Sequence, residues 1–474
     1  MAQEPFQVYA ADHARLAMAV VAGLRAGDGD GPREPGLAEQ LVASCQGSDT
    51  AIGVGGAWAP LVLGNGDLWR YDQAVGIWRR IPSHDVRREV MRLSSVAVTV
   101  TKTGKAAPLI ITSALMEAVV KMVEVMAERV DFDEARPGIA CANGFVDLTG
   151  DAVVLRKPRA DDYARHVAGW TYEAAAPAPR WDAFLADVWQ GAKDAVERQR
   201  FLECFLGACL AGQAWHHARA VILLGDGANG KSVLCDVVAG MFPPGSVCSV
   251  APHAMAERFR ATSLVGAKLN LVADMPVGEL KESGSLKQIV AGDPIEIEKK
   301  FKDSFVFRPT CGHIFSTNRL PMATDHSRGF LRRWVVLKFG RNFEGSGINR
   351  EQLVRSIAAE TPAIVARCAE AYMRARGYVI PPSSEEEMDE WRLDNDQVLA
   401  FLDEHYERIP PPHTDDEHFP ETIRAIYGLY RPWAINHGHR PCQIRTLSRR
   451  VGEIVPWKRT DQGRVFALRF SKRS

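Results

Sequence analysis

Apolar residues recur along this chain in two rhythms, and the switches between them lay out its elements. Helical spacing predicts helices over 10–26, 113–130 with Lys121 and Glu124 on the outer face, 181–188, 198–210, 233–241, 352–376, 398–407, 423–437 and 444–454. The pair before the central loop, 181–188 and 198–210, reads as amphipathic. Short apolar or aromatic runs predict strands over 67–72, 76–81, 221–224, 268–273, 295–298, 304–307, 312–318, 335–339 and 465–470, with another at Trp457. At 139–150 an apolar strand meets Asn143-Gly144 and continues, which predicts a hairpin. Residues 27–35, rich in Gly, Asp and Pro, the Ala/Pro run 173–179, and Pro381-Pro382-Ser383-Ser384 followed by three glutamates read as connections. The fold class is therefore α/β: a phosphate-loop core with a parallel sheet, an N-terminal α/β and helical region, and a C-terminal winged-helix domain. The divisions fall at 1–135, 136–200, 201–380 and 390–474.

The chemistry concentrates where strand 221–224 runs into Gly225-Asp226-Gly227-Ala228-Asn229-Gly230-Lys231-Ser232, with a helix from Val233 immediately behind. Glycines let such a loop wrap tightly enough to aim backbone N–H groups at phosphate oxygens, and the helix N-terminus adds its dipole. Lys231 is placed to reach the outer phosphates of ATP and Ser232 to hold Mg²⁺. Asp274, at the end of the next strand, suits the same metal. Many ATPases follow that aspartate with a glutamate that polarises water, but here Met275-Pro276 follow. Asp274 alone, Glu279 or Glu282 remain open for that task.

Further along, Lys299-Lys300-Phe301-Lys302 form a hairpin tip suited to single-stranded DNA, by phosphate pairing and by contact with a base or sugar. Asn318 ends an apolar strand and is placed to aim its amide at the γ-phosphate or the attacking water. Arg332 and Arg333 precede the next strand and are candidates to reach the phosphates of a neighbouring subunit. Near the C-terminus, Arg445, Arg449, Arg450, Lys458 and Arg459 lie on a recognition helix and wing, where basic residues suggest duplex phosphate contacts. Trp69 and Trp78 offer faces for base stacking, although a small hairpin's core accounts for them better. Asp131-Phe132-Asp133 has the spacing of a metal-binding pair but reads as a solvated loop.

Composition adds mainly exclusions. With 58 basic and 58 acidic residues the net charge is zero, so only local charge can speak for nucleic acid. The nine cysteines show no C-x-x-C pair, and His216-His217 has no companion ligands, so neither zinc nor a disulfide framework is expected. The N-terminus lacks a secretory pattern and no apolar run is long enough to span a membrane, which predicts a cytoplasmic protein.

Taken in order, Gly225 to Ser232, Asp274, the lysine tip, Asn318 and Arg332/Arg333 resemble superfamily 3 helicases. The closer likeness is to the poxvirus and phage/plasmid primase-helicase family. It is carried by Asn143-Gly144-Phe145-Val146-Asp147-Leu148, residues 286–294, Phe315-Ser316-Thr317-Asn318-Arg319-Leu320-Pro321 and Gly329-Phe330-Leu331-Arg332-Arg333-Trp334. The resemblance implies an AAA+-type core in a hexameric ring, ATP sites at subunit boundaries, and lysine hairpins gripping single-stranded or forked DNA. It also implies that Arg333 is the finger from the next subunit, with Arg332 a close second, and that 352–376 is the lid. No acidic priming motif is evident, so a separate primase or replication protein is an expected partner. A DNA-binding assembly switch without unwinding is the alternative, favoured by the absent glutamate after Asp274. A small-molecule kinase would leave the lysine tip and the basic C-terminal part unused.

Overall fold

The computed structural model describes residues 6–8, 17, 20, 61–100, 106–108, 110–174, 176–276, 279–280, 283–298, 304–323, 325, 327–375, 377–410, 419–461 and 463–471. The connection 27–35, Glu282 and the tip Lys299, Lys300, Phe301 and Lys302 lie outside the described residues, and the helix expected over 10–26 is represented only by buried, helical Ala17 and Val20.

The centre is a five-stranded parallel sheet. Its spatial order is Val247–Cys248, Leu269–Val272, Gly312–Thr317, Ala220–Leu224, Trp334–Lys338. The three inner strands are buried along nearly their whole length because helices and loops cover both faces, and even the polar Asn270, His313, Ser316 and Thr317 are enclosed. Helix Ala195–Ala211 packs beneath the sheet and against helix Thr361–Ala375. Every residue from Phe201 to Ala211 is buried, so this helix is enclosed rather than amphipathic. The run has no polar face to offer water, and that signal outweighs the charged first turns. Gly207 permits the approach: a Cβ there would stand 2.0 Å from the Cys368 carbonyl oxygen.

Two other expectations change. The helical stretch 352–376 is two helices, Arg350–Ala358 and Thr361–Ala375, the first capped by Asn349, whose Oδ1 accepts from Gln352 N at 2.9 Å. The connection expected around 381–387 is instead the start of helix Pro382–Asn395, which lies along the edge strand Trp334–Lys338. Proline in the first turn and acids near a helix N-terminus are start signals as well as loop signals. Ser384 and Trp391 are buried here, and Ser384 Oγ accepts from Val336 N at 2.8 Å, giving the edge strand a partner.

Toward the N-terminus, Leu61–Gly64, Asp67–Asp72 and Ile77–Ile81 form an antiparallel sheet flanked by helices Ser83–Val96 and Ser113–Met126. Trp78 is buried and donates through Nε1 to the Ala160 carbonyl at 2.8 Å, while the Trp69 and Phe132 rings lie 4.9 Å apart. Phe132 is at the heart of this aromatic cluster, so of Asp131-Phe132-Asp133, expected as a solvated loop, Phe132 is buried and Asp133 partly so, while Asp131 is exposed. Asp133 accepts from Arg308 N at 2.6 Å, and burial raises its carboxyl above the usual range.

The expected hairpin is present as Gly138–Cys141 paired with Gly144–Asp147. Its connecting pair is Ala142-Asn143, with Gly144 opening the second strand at φ 151°, where a Cβ would sit 2.6 Å from the Arg156 carbonyl. The C-terminal part packs helices Gln397–His405, Ile423–Asn436 and Ile444–Ile454 around Phe401, Tyr430, Leu447 and Phe466. A three-stranded antiparallel sheet, in the order Glu421–Thr422, Gly463–Phe466, Trp457–Thr460, completes it.

Candidate functional site

The central strand Ala220–Leu224 delivers the glycine loop to the C-terminal end of the sheet. Backbone bonds pin the loop on either side: Gly225 N donates to Thr317 O at 3.3 Å and Phe343 N to Ala228 O at 2.7 Å. Gly227 at φ 105° and Gly230 at φ 89° take left-handed conformations that suit glycine, and Ala228 at φ 47° shares them. Gly225 is demanded by contact, because a Cβ would meet Asn229 Nδ2 at 2.0 Å. Asn229 in turn donates to the Phe339 carbonyl at 3.2 Å. Around Gly227 a Cβ would meet nothing within 4 Å, so this part of the loop faces open space.

Lys231 opens helix Lys231–Met241 and is only 6% exposed. Its ammonium donates to Gly225 O at 2.5 Å, Asn229 Oδ1 at 3.0 Å and Asn318 Oδ1 at 3.2 Å. An ammonium has three donors, and all three are used on neutral oxygens. Burial lowers its pKa below the usual lysine value, and the charges of Asp226, Cys235 and Asp274 oppose that shift. The result is a fixed positive charge beside left-handed loop backbone and a helix N-terminus, an arrangement that attracts anions.

The other predicted residues fall around this point. Ser232 is exposed in the first turn of the helix, and Val233 is buried. Asp274 is exposed two residues beyond strand Leu269–Val272, in a segment fixed by Met275 N donating to Ser316 O at 2.7 Å. Asn318 follows the last residue of Gly312–Thr317, and the parallel register carries it to the loop.

Arg332 and Arg333 lie elsewhere. They precede Trp334, which pairs with Ala220 at the beginning of the central strand, so they stand at the opposite end of the sheet from Lys231. Arg333 donates to the carbonyls of Lys287 (3.1 Å) and Gly329, whereas Arg332 is exposed and lines a cavity of about 620 Å³ with Arg219, Arg328 and Arg392. Burial, then the charges of Arg332 and Arg333, lower the Arg219 pKa below its ordinary value.

In the C-terminal part, Arg445, Arg449 and Arg459 are exposed and Lys458 is half-buried with its Nζ 4.9 Å from the Phe419 ring. Arg450 is engaged internally, its Nε donating to Asp396 Oδ2 at 3.0 Å and its Nη1 to Glu453 at 2.8 Å. Arg464 stacks on half-exposed Trp457, its Cζ 4.0 Å from the ring centroid. Among the described residues no group of three or more His, Cys, Asp or Glu is placed to hold a metal ion, and the eight described cysteines are free.

Beside the loop opens a cavity of about 570 Å³, within the roughly 300–1,000 Å³ range of small-molecule sites. One side is Gly225, Asp226, Gly227, Asn229, Asn318 and Arg319. Across it stand Glu387, Glu390, Asp394 and Asn395 of helix Pro382–Asn395. Sequence reading missed this wall because it took the segment's start for a connection. Acids at 387, 390 and 394, spaced by three and four, were the available signal for one helical face.

Comparison with known proteins gives two family matches. Residues 61–190 match the family described as D5 N terminal like, and residues 223–333 match a family of unknown function, DUF5906. Each span is under half of the chain. Among solved structures, the chain is similar to the "A form apo structure of NrS-1 C terminal region-CTR" at 12% identity and a TM-score of 0.44, covering 87% of this chain and 96% of that one. A second NrS-1 C terminal region structure gives 10% identity and a TM-score of 0.42, covering 72% and 77%. Scores this low place no weight on the likeness.

Proposed function

We propose that this chain is an ATP-driven DNA helicase that translocates on single strands and unwinds forked duplex during replication of a phage, prophage or plasmid. The observation that carries the reading is the Lys231 ammonium, held by Gly225, Asn229 and Asn318 at the C-terminal end of a parallel sheet. The strand order, with the loop-bearing strand between Gly312–Thr317 and the edge strand, supports an AAA+-type P-loop core of superfamily 3 kind. The match of residues 61–190 to the D5 N terminal like family agrees with the resemblance drawn from the motifs.

The residues present fit a nucleoside triphosphate with Mg²⁺. The loop faces open space at Gly227, Lys231 is prepositioned, and Ser232 and Asp274 are exposed nearby, where they would hold a magnesium ion that neutralises phosphate charge. In this reading Lys231 gives its charge to the outer phosphates and Asn318 orients the terminal phosphate or the attacking water. Arg333, with Arg332 a close second, serves the site of an adjacent copy in a hexameric ring, since both stand at the far end of their own sheet. The lysine tip grips single-stranded DNA, while the helix Ile444–Ile454 and the hairpin after it form a winged-helix surface for duplex. Such a protein works in the cytoplasm of a bacterial host, alongside a separate primase or replication protein. Among the described residues no helix is long and apolar enough to cross a membrane.

A second reading is an ATP-dependent assembly switch that binds DNA without unwinding it. Buried Met275, standing where a water-polarising glutamate is common, favours it. Strand displacement on a forked duplex with ATP and Mg²⁺, run beside Lys231→Ala, separates the two. Displacement lost in the variant supports the helicase; DNA-stimulated ATP hydrolysis without displacement supports the switch.

A further inference from the structure

Strands Ile295–Ile297 and Phe305–Phe307, which residues 299–302 join in the chain, are clasped at their root by a single residue. The two strands pair antiparallel, and Ile297 and Phe307 are buried in the core. Arg308 follows the returning strand, and its Nη1 donates at 2.6 Å to the carbonyl of Gly292, just ahead of the outgoing one. Its Cζ lies 4.6 Å from the centroid of the Trp215 ring. Trp215 packs on Gly292 in turn, where a Cβ would stand 2.7 Å from its own, and belongs to the turn Ala214–His217 that leads into the central strand Ala220–Leu224.

The backbone of the same arginine is held from the N-terminal side. Arg308 N donates to Asp133 Oδ2 at 2.6 Å. Asp133 is itself fixed, because it follows Phe132 of the aromatic cluster and its own N–H donates to Asp131 Oδ1 at 2.8 Å. The turn at Gly66 also comes up to the hairpin, since a Cβ there would stand 3.5 Å from Phe305 Cδ1.

We propose that Asp133 is a positioning residue that fixes the root of this hairpin to the N-terminal part, which thereby serves as the mount against which the hairpin is driven. The proposal rests on the helicase reading and adds a task for the N-terminal part. A hairpin moves DNA only if displacement put in at its root is not lost in slack there. Three supports converge on Arg308: the start of its own hairpin through Gly292, the entry to the loop-bearing strand through Trp215, and the N-terminal part through Asp133. A hydrogen bond to a carboxylate is about twice as strong as one between neutral groups, which suits a contact that must hold under load.

The test measures ATP hydrolysis by the full chain with and without a single-stranded oligonucleotide, in the wild type, Asp133→Ala, Asp133→Asn and Arg308→Ala. Asp133→Ala is expected to lower the stimulation by DNA roughly 2- to 30-fold, the range over which a single residue between two sites alters their coupling. The basal rate and the melting temperature should stay near those of the wild type. Asp133→Asn keeps an oxygen acceptor for Arg308 N and should keep the stimulation. Arg308→Ala removes the clasp on Gly292 and Trp215 while leaving the backbone bond, so it should lower the stimulation too, and it decides the matter if Asp133→Ala does not fold. Wild-type stimulation in the folded alanine variants overturns the proposal. A basal rate that falls in step with the stimulated one overturns it as well, being the mark of a merely structural role, and so does a loss in Asp133→Asn equal to that in Asp133→Ala. If the wild type hydrolyses no ATP, or hydrolyses it without any response to DNA, the helicase reading itself fails and this proposal with it.

Discussion

The Lys231 ammonium stands 3.2 Å from Asn318 Oδ1, a bond that ties the glycine loop to the end of the neighbouring strand. The same bond makes Asn318 report on the loop. Asn318→Ala leaves a desolvated ammonium short of one acceptor, at a cost of about 1–3 kcal/mol where the charge is needed. If the chain hydrolyses ATP as proposed, phosphate release is expected to fall by roughly 10- to 100-fold. Lys231→Ala should abolish it. Equal rates for Asn318→Ala and wild type would sink the assignment of Asn318 to the site.

A buried ion pair sets the stability of the C-terminal part. Asp396 is 2% exposed, accepts from Val398 N and Leu399 N at 3.2 Å, and pairs with Arg450. Asp396→Ala removes a helix cap and leaves Arg450 with Glu453 as its remaining acidic partner, a loss of about 1–3 kcal/mol. Urea unfolding followed by tryptophan fluorescence, which reports on Trp433 in this core, should show its transition shifted to lower denaturant. An unshifted transition would mean that Arg450 finds solvent without penalty.

Gly207 is a packing requirement of the helix pair beneath the sheet. With Cβ space only 2.0 Å from Cys368 O and 2.7 Å from Tyr372 Cβ, Gly207→Ala must push Ala195–Ala211 and Thr361–Ala375 apart. Overpacking of this kind costs about 1–3 kcal/mol. A lowered melting temperature and faster proteolysis of the variant check the estimate, and wild-type behaviour contradicts it.

His313 predicts an acid limit for the core. Buried in the sheet, with Nδ1 3.2 Å from Asn270 Nδ2, it has its pKa lowered from 6.5 to about 4 by desolvation. The unfolded chain binds the proton more readily, so stability from this group is present above pH 6.5 and is lost as pH falls toward 4. Between pH 7.5 and 5 the loss is about 2 kcal/mol. His313→Gln should flatten that part of the stability profile, measured as urea midpoint against pH. An identical slope in the variant assigns the acid sensitivity to other groups.

Four strands of the central sheet were legible in the sequence, as short runs closed by Gly, Asp or Asn; the fifth, Val247–Cys248, is two residues long and carries no such pattern. The loop from Gly225 to Ser232 was legible because few other uses exist for those glycines before a lysine and a helix. Helix Pro382–Asn395 was not, since its proline and acids carry the same letters whether they begin a helix or solvate a loop. The deciding fact, the seating of Ser384 on Val336 and of Trp391 on Pro321, joins residues 48 and 70 apart in the chain. Arg450 illustrates the same limit. Its charge was visible, but Asp396, 54 residues earlier, is what occupies it.

The seating of Ser384 against Val336 also bears on how copies of this chain can meet. An open edge strand is an invitation to backbone pairing, by which a second chain zips onto a sheet with little regard for side chains. Here one border of the sheet is roofed by a helix, and the other, Val247–Cys248, is two residues long. Contact between copies through this sheet is thereby left to side chains, whose complementarity can be made and broken one charge at a time, and to which a change at a neighbouring binding site can be coupled.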